Sequence, residues 1–200
     1  MSPPVSTRSI KVATKNAAPR FRHTPPRLFL LWLSVSLPLV MWDASYVFLR
    51  PHSMPGGKYH WPWTAYDIYA EVDLVYGRKH YEDGEGFNPM QSTLNVIETL
   101  VYLYYLYLVG FGATGGVGGR RGATALVCAF AGSVATFWKT LLYMLLEVLG
   151  NYKNTGHNSP STFFFLWILP NSPWLLFPAR WIYVFGQELV ASLAGQAASH

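Results

Sequence analysis

The stretch from Leu28 to Leu49 reads LFLLWLSVSLPLVMWDASYVFL and holds one charged residue, Asp43. As an α-helix this run would be about 33 Å long, which is enough for the roughly 30 Å hydrocarbon core of a bilayer. It is too long for the core of a signal peptide and lacks a small-residue cleavage site. We therefore predict a retained transmembrane helix.

Further apolar runs follow at Leu94–Phe111, Ala123–Leu149 and Phe163–Phe185. Charged residues make up 12% of the 200 residues, against roughly 25% in soluble domains, and most lie between the runs. Because hydrocarbon solvates neither charge nor unpaired backbone groups, this distribution predicts an all-α integral membrane protein. We expect a four-transmembrane-helix bundle over residues 28–189, with a short fifth helix near 63–76 on the membrane surface or capping the bundle.

The charges between the runs predict the orientation. Residues 1–27 carry six basic residues and no acid, whereas the connection 50–93 has six acidic and four basic residues. By the positive-inside rule we place the tails 1–27 and 190–200 in the cytoplasm. An Arg-rich, acid-free start also resembles a mitochondrial transit peptide, and we keep this as an alternative interpretation. No aromatic or motif context accompanies the basic residues, so nucleic-acid binding is not expected.

Neither a cofactor nor a metal is predicted. Gly110, Gly112 and Gly115 have G-x-G-x-x-G spacing, but apolar helices stand on both sides, where a dinucleotide site needs a strand first. The histidines of the predicted loops have no metal-ligand spacing.

Polar residues inside the runs need an explanation, because an ionisable group at mid-bilayer costs at least about 2.5 kcal/mol. The predicted topology puts one polar residue of each helix in the lumenal half, which favours a shared intramembrane pocket. These four residues are Asp43, Glu98, Glu147 and Asn171.

Helical spacing groups more residues with them. Asn95 lies on the face of Glu98, and Tyr143 lies on the face of Glu147. Lys139, on that same face, is most simply a partner that neutralises Glu98 or Glu147. For Glu147 itself, pairing and ligand binding are equally good interpretations.

The clearest ligand site is predicted from Glu98, Asn171 and Trp174. Asn171 and Trp174 are three residues apart and therefore neighbours on a helix. A carboxylate, an amide and an indole together can hold a cation. A desolvated carboxyl can also act as an acid near neutrality.

Three short motifs occur in order along the runs: Ile97-Glu98-Thr99, Leu142-Tyr143 through Glu147, and Asn171-Ser172-Pro173-Trp174-Leu175 followed by Phe177-Pro178. In these motifs and their spacing, from about Leu28 to Leu189, the chain resembles the EXPERA family. That family includes emopamil-binding protein (the sterol Δ8–Δ7 isomerase), the sigma-2 receptor and fungal relatives.

The resemblance implies a multi-pass endoplasmic-reticulum protein with a pocket for sterols or terpenoids and for cationic amphiphiles. In the isomerase an acid protonates a ring alkene, and a base then removes a neighbouring proton. Glu98 matches a family glutamate implicated in this transfer, and Asn171 and Trp174 match residues that line the pocket. Asp43 resembles an acid on the first helix of the sigma-2 receptor.

One departure leaves the function open. The isomerase has a histidine and a glutamate four residues apart on its first helix, and Trp42-Asp43-Ala44-Ser45-Tyr46 supplies only one acid. The first hypothesis is a cofactor-independent double-bond isomerase; the alternatives are a non-catalytic lipid-binding protein and a small terpenoid cyclase. A homodimer is also left open. The predicted catalytic residues are Glu98 and Asp43, and the predicted substrate-binding residues are Asn171, Trp174, Glu147, Tyr143 and Asn95.

Overall fold

The computed structural model describes residues 21–110 and 115–197, and about 75% of the chain is helical. The prediction of an all-α protein is therefore confirmed. In chain order the elements are β1 (Arg22–His23), α1 (Arg27–Phe48), a 3-10 turn (Trp61–Trp63), α2 (Tyr66–Val72), a second 3-10 turn (Leu74–Tyr76), α3 (Arg78–Glu82), α4 (Phe87–Val109), β2 (Val117–Gly118), α5 (Gly119–Leu149), α6 (Pro160–Phe163), a π-helix (Phe164–Ile168), α7 (Leu169–Asn171) and α8 (Pro173–Ala197).

Three helices, α1, α4 and α5, are long and apolar enough to cross a membrane. Their outward faces carry large apolar side chains such as Leu31, Leu100 and Trp138, each at least 60% exposed. Water-soluble domains rarely expose extended apolar faces, whereas contact with lipid requires them. These features indicate a multi-pass membrane protein.

The fourth predicted run, 163–185, is not one continuous helix and is not among these three candidate spans. Its apolar first part is divided between α6, the π-helix and α7, so α8 begins only at Pro173. Further along, α8 carries the polar residues Arg180 and Glu188. The break therefore separates the most apolar residues from the long helix.

Prolines explain this break. Pro170 and Pro173 have no amide N–H, so each removes a helical hydrogen bond and crowds the preceding turn. The Ser172 hydroxyl donates to the carbonyl of Leu169 at 2.9 Å, and that carbonyl would otherwise bond to the missing amide of Pro173. Side chains therefore replace part of the lost backbone bonding inside this segment.

The helix α4 begins at Phe87, earlier than the predicted Leu94. Its first turns are too polar to read as part of an apolar run, but they are tied to the segment before them. Asn88 donates from Nδ2 to the carbonyl of Val75 at 3.1 Å. The predicted end at Phe111 lies outside the described residues, and α4 ends at Val109.

The connecting segment (residues 50–86) folds back against the end of α1. The predicted short helix at 63–76 is present as α2, flanked by the two 3-10 turns. Trp63 and Tyr66 are buried with Tyr46 and Met54 in one apolar cluster. The segment therefore caps this end of the bundle.

The long helices pack in a continuous series, with α4 between α1 and α5, and α8 against α5. Phe29, Tyr105, Trp181 and Phe185 are buried together where α1, α4, α5 and α8 meet. Gly132 of α5 lies against the Tyr102 ring of α4, where an added Cβ would stand 2.7 Å from the ring. A small residue here lets the two helices approach closely.

Both predicted tails are partly folded. Arg22 and His23 of the predicted tail 1–27 pair as β1 with β2, and α1 already begins at Arg27. Residues 1–20 lie outside the described part of the chain. In the predicted tail 190–200, α8 continues to Ala197. Residues 21–27 are folded because of backbone pairing and side-chain burial. The charge counts from which the tail was predicted do not report either property.

Candidate functional site

A cavity of about 520 Å³ lies between α1, α2, α4, α5 and the segment from the π-helix to the start of α8. Its size is within the range of about 300–1,000 Å³ usual for small-molecule sites. Leu39, Ile68 and Leu166 give it apolar walls, and several polar groups interrupt them. Five of the seven predicted site residues line it: Asp43, Asn95, Tyr143, Asn171 and Trp174.

Asp43 brings a carboxylate to the cavity from the last turns of α1. The Tyr66 hydroxyl of α2 donates to its Oδ1, which ties the connecting segment to α1 at the cavity wall. Trp42, also in the wall, packs its ring 5.1 Å from the ring of Tyr66. Burial, together with the charge of Asp43, raises the pKa of Tyr66, so this phenol keeps its proton at neutral pH.

Lys139 of α5 brings an ammonium group to the same cavity. Its Nζ donates to Glu98 Oε2 at 2.9 Å and also to Asn95 Oδ1, both on α4. Glu98 accepts a further hydrogen bond from Thr136 at 3.0 Å. Lys139 therefore pairs with Glu98 rather than with Glu147, and Glu98 lies behind it, outside the cavity wall.

Asn171 and Trp174 line the cavity from the segment with the prolines. Asn171 donates from Nδ2 to the carbonyl of Trp167 at 2.8 Å and lies 3.5 Å from the Tyr69 hydroxyl. The Trp174 ring packs edge-on against Trp32 of α1, with centroids 5.2 Å apart. Asn171 and Trp174, which were predicted to be neighbours, lie in the same wall of the cavity and place an amide beside an indole.

Tyr143 connects the cavity to a second, fully buried carboxylate. Its hydroxyl donates to Asp73 Oδ2, and the indole Nε1 of Trp167 donates to the same oxygen at 3.1 Å. The amide of Val75 donates to Asp73 Oδ1 at 3.1 Å. Asp73 lies in the connecting segment, and burial raises its pKa although these hydrogen bonds oppose the shift.

Glu147 lies away from the cavity. Its carboxylate accepts from Asn154 Nδ2 at 2.6 Å and from Thr155 Oγ1 at 2.9 Å, in the loop that follows α5. The side chain is 2% exposed. Glu147 follows Tyr143 by one turn, which moves it past the cavity and gives it a loop-anchoring role.

Tyr66, Tyr69 and Gln91 belong to the cavity wall but were not predicted as site residues. The two tyrosines lie in the connecting segment, where the sequence indicated only an aromatic belt. Their three-residue spacing on one helix face was the available signal. Gln91 was visible as a neighbour of Asn95 on one face of α4.

The site offers one unpaired carboxylate, an internally neutralised ammonium–carboxylate pair, and aromatic faces. Such a set can accommodate an amphiphile with an apolar body, and a carboxyl in a cavity wall is a group that can exchange protons. Within residues 21–110 and 115–197, no group of three or more His, Cys, Asp or Glu side chains is arranged to hold a metal ion.

Comparison of the chain with known protein families, with curated proteins and with solved structures finds no match.

Proposed function

We propose that the chain is a four-span membrane protein of the EXPERA type that shifts a C=C double bond in a sterol or polycyclic terpenoid. The segment from α6 to α8 would form the fourth crossing, with both termini in the cytoplasm and the protein in the endoplasmic reticulum. The observation that carries this proposal is Asp43, a carboxyl held by Tyr66 in the wall of a ligand-sized cavity with apolar and indole surfaces.

In the proposed reaction, protonated Asp43 donates its proton to one alkene carbon and leaves a carbocation on the other. The resulting carboxylate then takes a proton from the carbon next to the cation, so the double bond moves and Asp43 recovers its proton. The indole faces of Trp42 and Trp174 stabilise the cation. The Tyr66 hydrogen bond would hold one carboxylate oxygen in place during this exchange.

Glu98 has an indirect role in this proposal. Its carboxylate pairs with Lys139 at 2.9 Å and does not line the cavity, so it holds Lys139 in place. This is a different role from the direct proton transfer expected from the family resemblance.

The same observation favours a second candidate function, non-catalytic lipid binding. With Glu98 neutralised, Asp43 is the one unpaired carboxylate in the described wall of the cavity. A cationic amphiphile would pair with Asp43 and lay its apolar part against the indole rings.

The test is conversion of a Δ8 sterol by membranes that contain the protein, in D₂O, with products analysed by mass spectrometry. The reaction predicts a Δ7 sterol with one deuterium, no product with Asp43→Asn, and normal product with Asp67→Asn. Asp67 is a matched control, because its side chain is 49% exposed and does not line the cavity.

A strain that lacks sterol Δ8–Δ7 isomerase gives an independent readout through restored Δ7 sterols. Sterol binding without conversion in either assay would favour the lipid-binding function. If well-expressed protein neither binds nor converts sterols, both candidate functions are excluded.

A further inference from the structure

Lys139 has one donor more than its known partners use. An ammonium group carries three N–H donors. Two of them go to Asn95 and Glu98, and among the described residues no third acceptor is within hydrogen-bond distance. Because Lys139 lines the cavity with its side chain only 8% exposed, the remaining donor is available to a ligand and shielded from bulk solvent.

Gln91 has the complementary unused group, a hydrogen-bond acceptor. Its Oε1 atom is buried and has no hydrogen-bond partner among the described residues. Gln91 lines the same cavity, one helical turn before the Asn95 that accepts from Lys139. Buried polar atoms without partners are rare and destabilising, so this acceptor needs a donor from somewhere.

We propose that Lys139 and Gln91 form a subsite for a ring hydroxyl of the lipid ligand. A hydroxyl accepts one hydrogen bond and donates another, so a single hydroxyl bound between the two side chains would satisfy both the free Lys139 N–H and the Gln91 oxygen. The proposal rests on the proposed function, and it adds the ligand's polar group and its orientation.

Charge argues against other head groups at this position. A ligand ammonium would face the positive charge of Lys139, and a ligand carboxylate would compete with Glu98 for it. Either would leave a charge imbalance in a desolvated place. A neutral hydroxyl keeps the Lys139–Glu98 pair intact, whereas a cationic group would bind at the Asp43 side of the cavity.

The experiment measures binding of three matched sterols to the purified full-length protein in lipid nanodiscs, by quenching of tryptophan fluorescence. Trp42 and Trp174 lie in the cavity wall and supply the signal. The sterols differ only in carrying a hydroxyl, a ketone or no oxygen at the ring position. We expect the hydroxysterol to bind about tenfold more tightly than the deoxy sterol, as one buried hydrogen bond to a charged donor implies.

Gln91→Leu should reduce this preference severalfold, because the hydroxysterol loses a partner that the deoxy sterol does not use. Its matched control is Gln187→Leu, since Gln187 is exposed on α8 and does not line the cavity. The paired variant Lys139→Met with Glu98→Gln removes the second partner without leaving a buried charge, and it should reduce the preference further.

Equal affinity of the unmodified protein for all three sterols would overturn the hydroxyl subsite while keeping the lipid-binding site. So would a hydroxyl preference that survives both Gln91→Leu and the paired variant. If no sterol binds, the subsite and the proposed function fail together. Binding with the expected preference but no isomerisation would keep the subsite and reject the reaction.

Discussion

Two buried polar residues, His23 and Lys139, lie in different halves of the helix bundle and use their hydrogen-bonding groups differently. In the core half, around the start of α1, His23 is fully buried and uses both ring nitrogens, with Glu188 at 2.9 Å and the Tyr105 hydroxyl at 3.2 Å. The rings of Phe29 and Phe185 fill the space around these groups. In the cavity half, around Asp43 and Lys139, polar atoms remain available beside open volume.

The difference teaches which polar residues to regard as structural. A buried group whose hydrogen-bonding capacity is used up by the protein has nothing left for a ligand, and His23 is of this kind. Lys139 and Gln91 retain unused capacity within the described residues, and they line a cavity. Burial alone would not distinguish a structural group such as His23 from groups with unused hydrogen-bonding capacity such as Lys139 and Gln91.

The largest expected effect is on packing in the core half. Phe29→Ala removes a fully buried ring that lies within 6.0 Å of four other aromatic rings. It should lower the free energy of unfolding by about 3–5 kcal/mol. Leu39→Ala in the cavity wall, where the side chain is 47% exposed, should cost much less. Thermal unfolding in detergent measures both, and equal losses would contradict the distinction between the two halves.

A slightly smaller effect is expected from breaking the buried ion pair of the cavity half. Lys139→Met leaves Glu98 without its cation and should destabilise the protein by about 3 kcal/mol. Adding Glu98→Gln should recover much of this loss, because the uncompensated charge disappears. A double variant less stable than Lys139→Met would show that the pair is not coupled in this way.

Asp73 should make stability depend on pH. Burial raises its pKa above the ordinary value of 3.8, so the folded protein favours the protonated carboxyl. Its contribution to stability is therefore fully present below 3.8 and is lost as the pH rises through the raised pKa. Asp73→Asn should flatten this decline and cost about 1–2 kcal/mol at low pH, where the amide matches the neutral acid imperfectly.

Melting temperatures of the unmodified protein and of Asp73→Asn, measured over the same pH series, isolate this contribution. Asp67→Asn serves as the control in the exposed part of the same segment. Parallel pH curves for the unmodified protein and Asp73→Asn would contradict the assignment.

The smallest effect is expected on the outer faces of the helices. Leu100 is 60% exposed on α4, so Leu100→Ala should change the free energy of unfolding by no more than about 0.5 kcal/mol. A loss of several kcal/mol in the thermal assay would mean that this face is covered by protein, which a homodimer would do.

The sequence predicted the long helices α1 and α5, whose apolar runs contain no closely spaced prolines. The limits of α1, predicted at Leu28–Leu49 and observed at Arg27–Phe48, follow from an unbroken apolar pattern. The start of α4 did not follow from that pattern, because its polar first turns are stabilised by contacts with the connecting segment. The division of 163–185 depends on how the prolines are accommodated. The composition of the run does not determine this.

The candidate site could be predicted where its residues lie on the long helices. Asp43 and Asn95 stand out because a polar side chain in an apolar run needs a partner. Tyr66 and Asp73 reach the site only because the connecting segment folds back, and no local pattern encodes that return. Whether Glu98 faces the cavity depends on where Lys139 sits, and helical spacing alone leaves this open.

The pairing of His23 sets an order on biosynthesis. Its hydrogen-bond partner Glu188 follows 165 residues later in the chain, in the second half of α8. The ribosome must therefore deliver residue 188 before this contact forms. Until then β1 can pair with β2 and His23 can reach Tyr105, but the second ring nitrogen of His23 lacks its partner. Completion of this buried network is a late event of assembly, so truncation before Glu188 should leave one ring nitrogen of His23 without its partner.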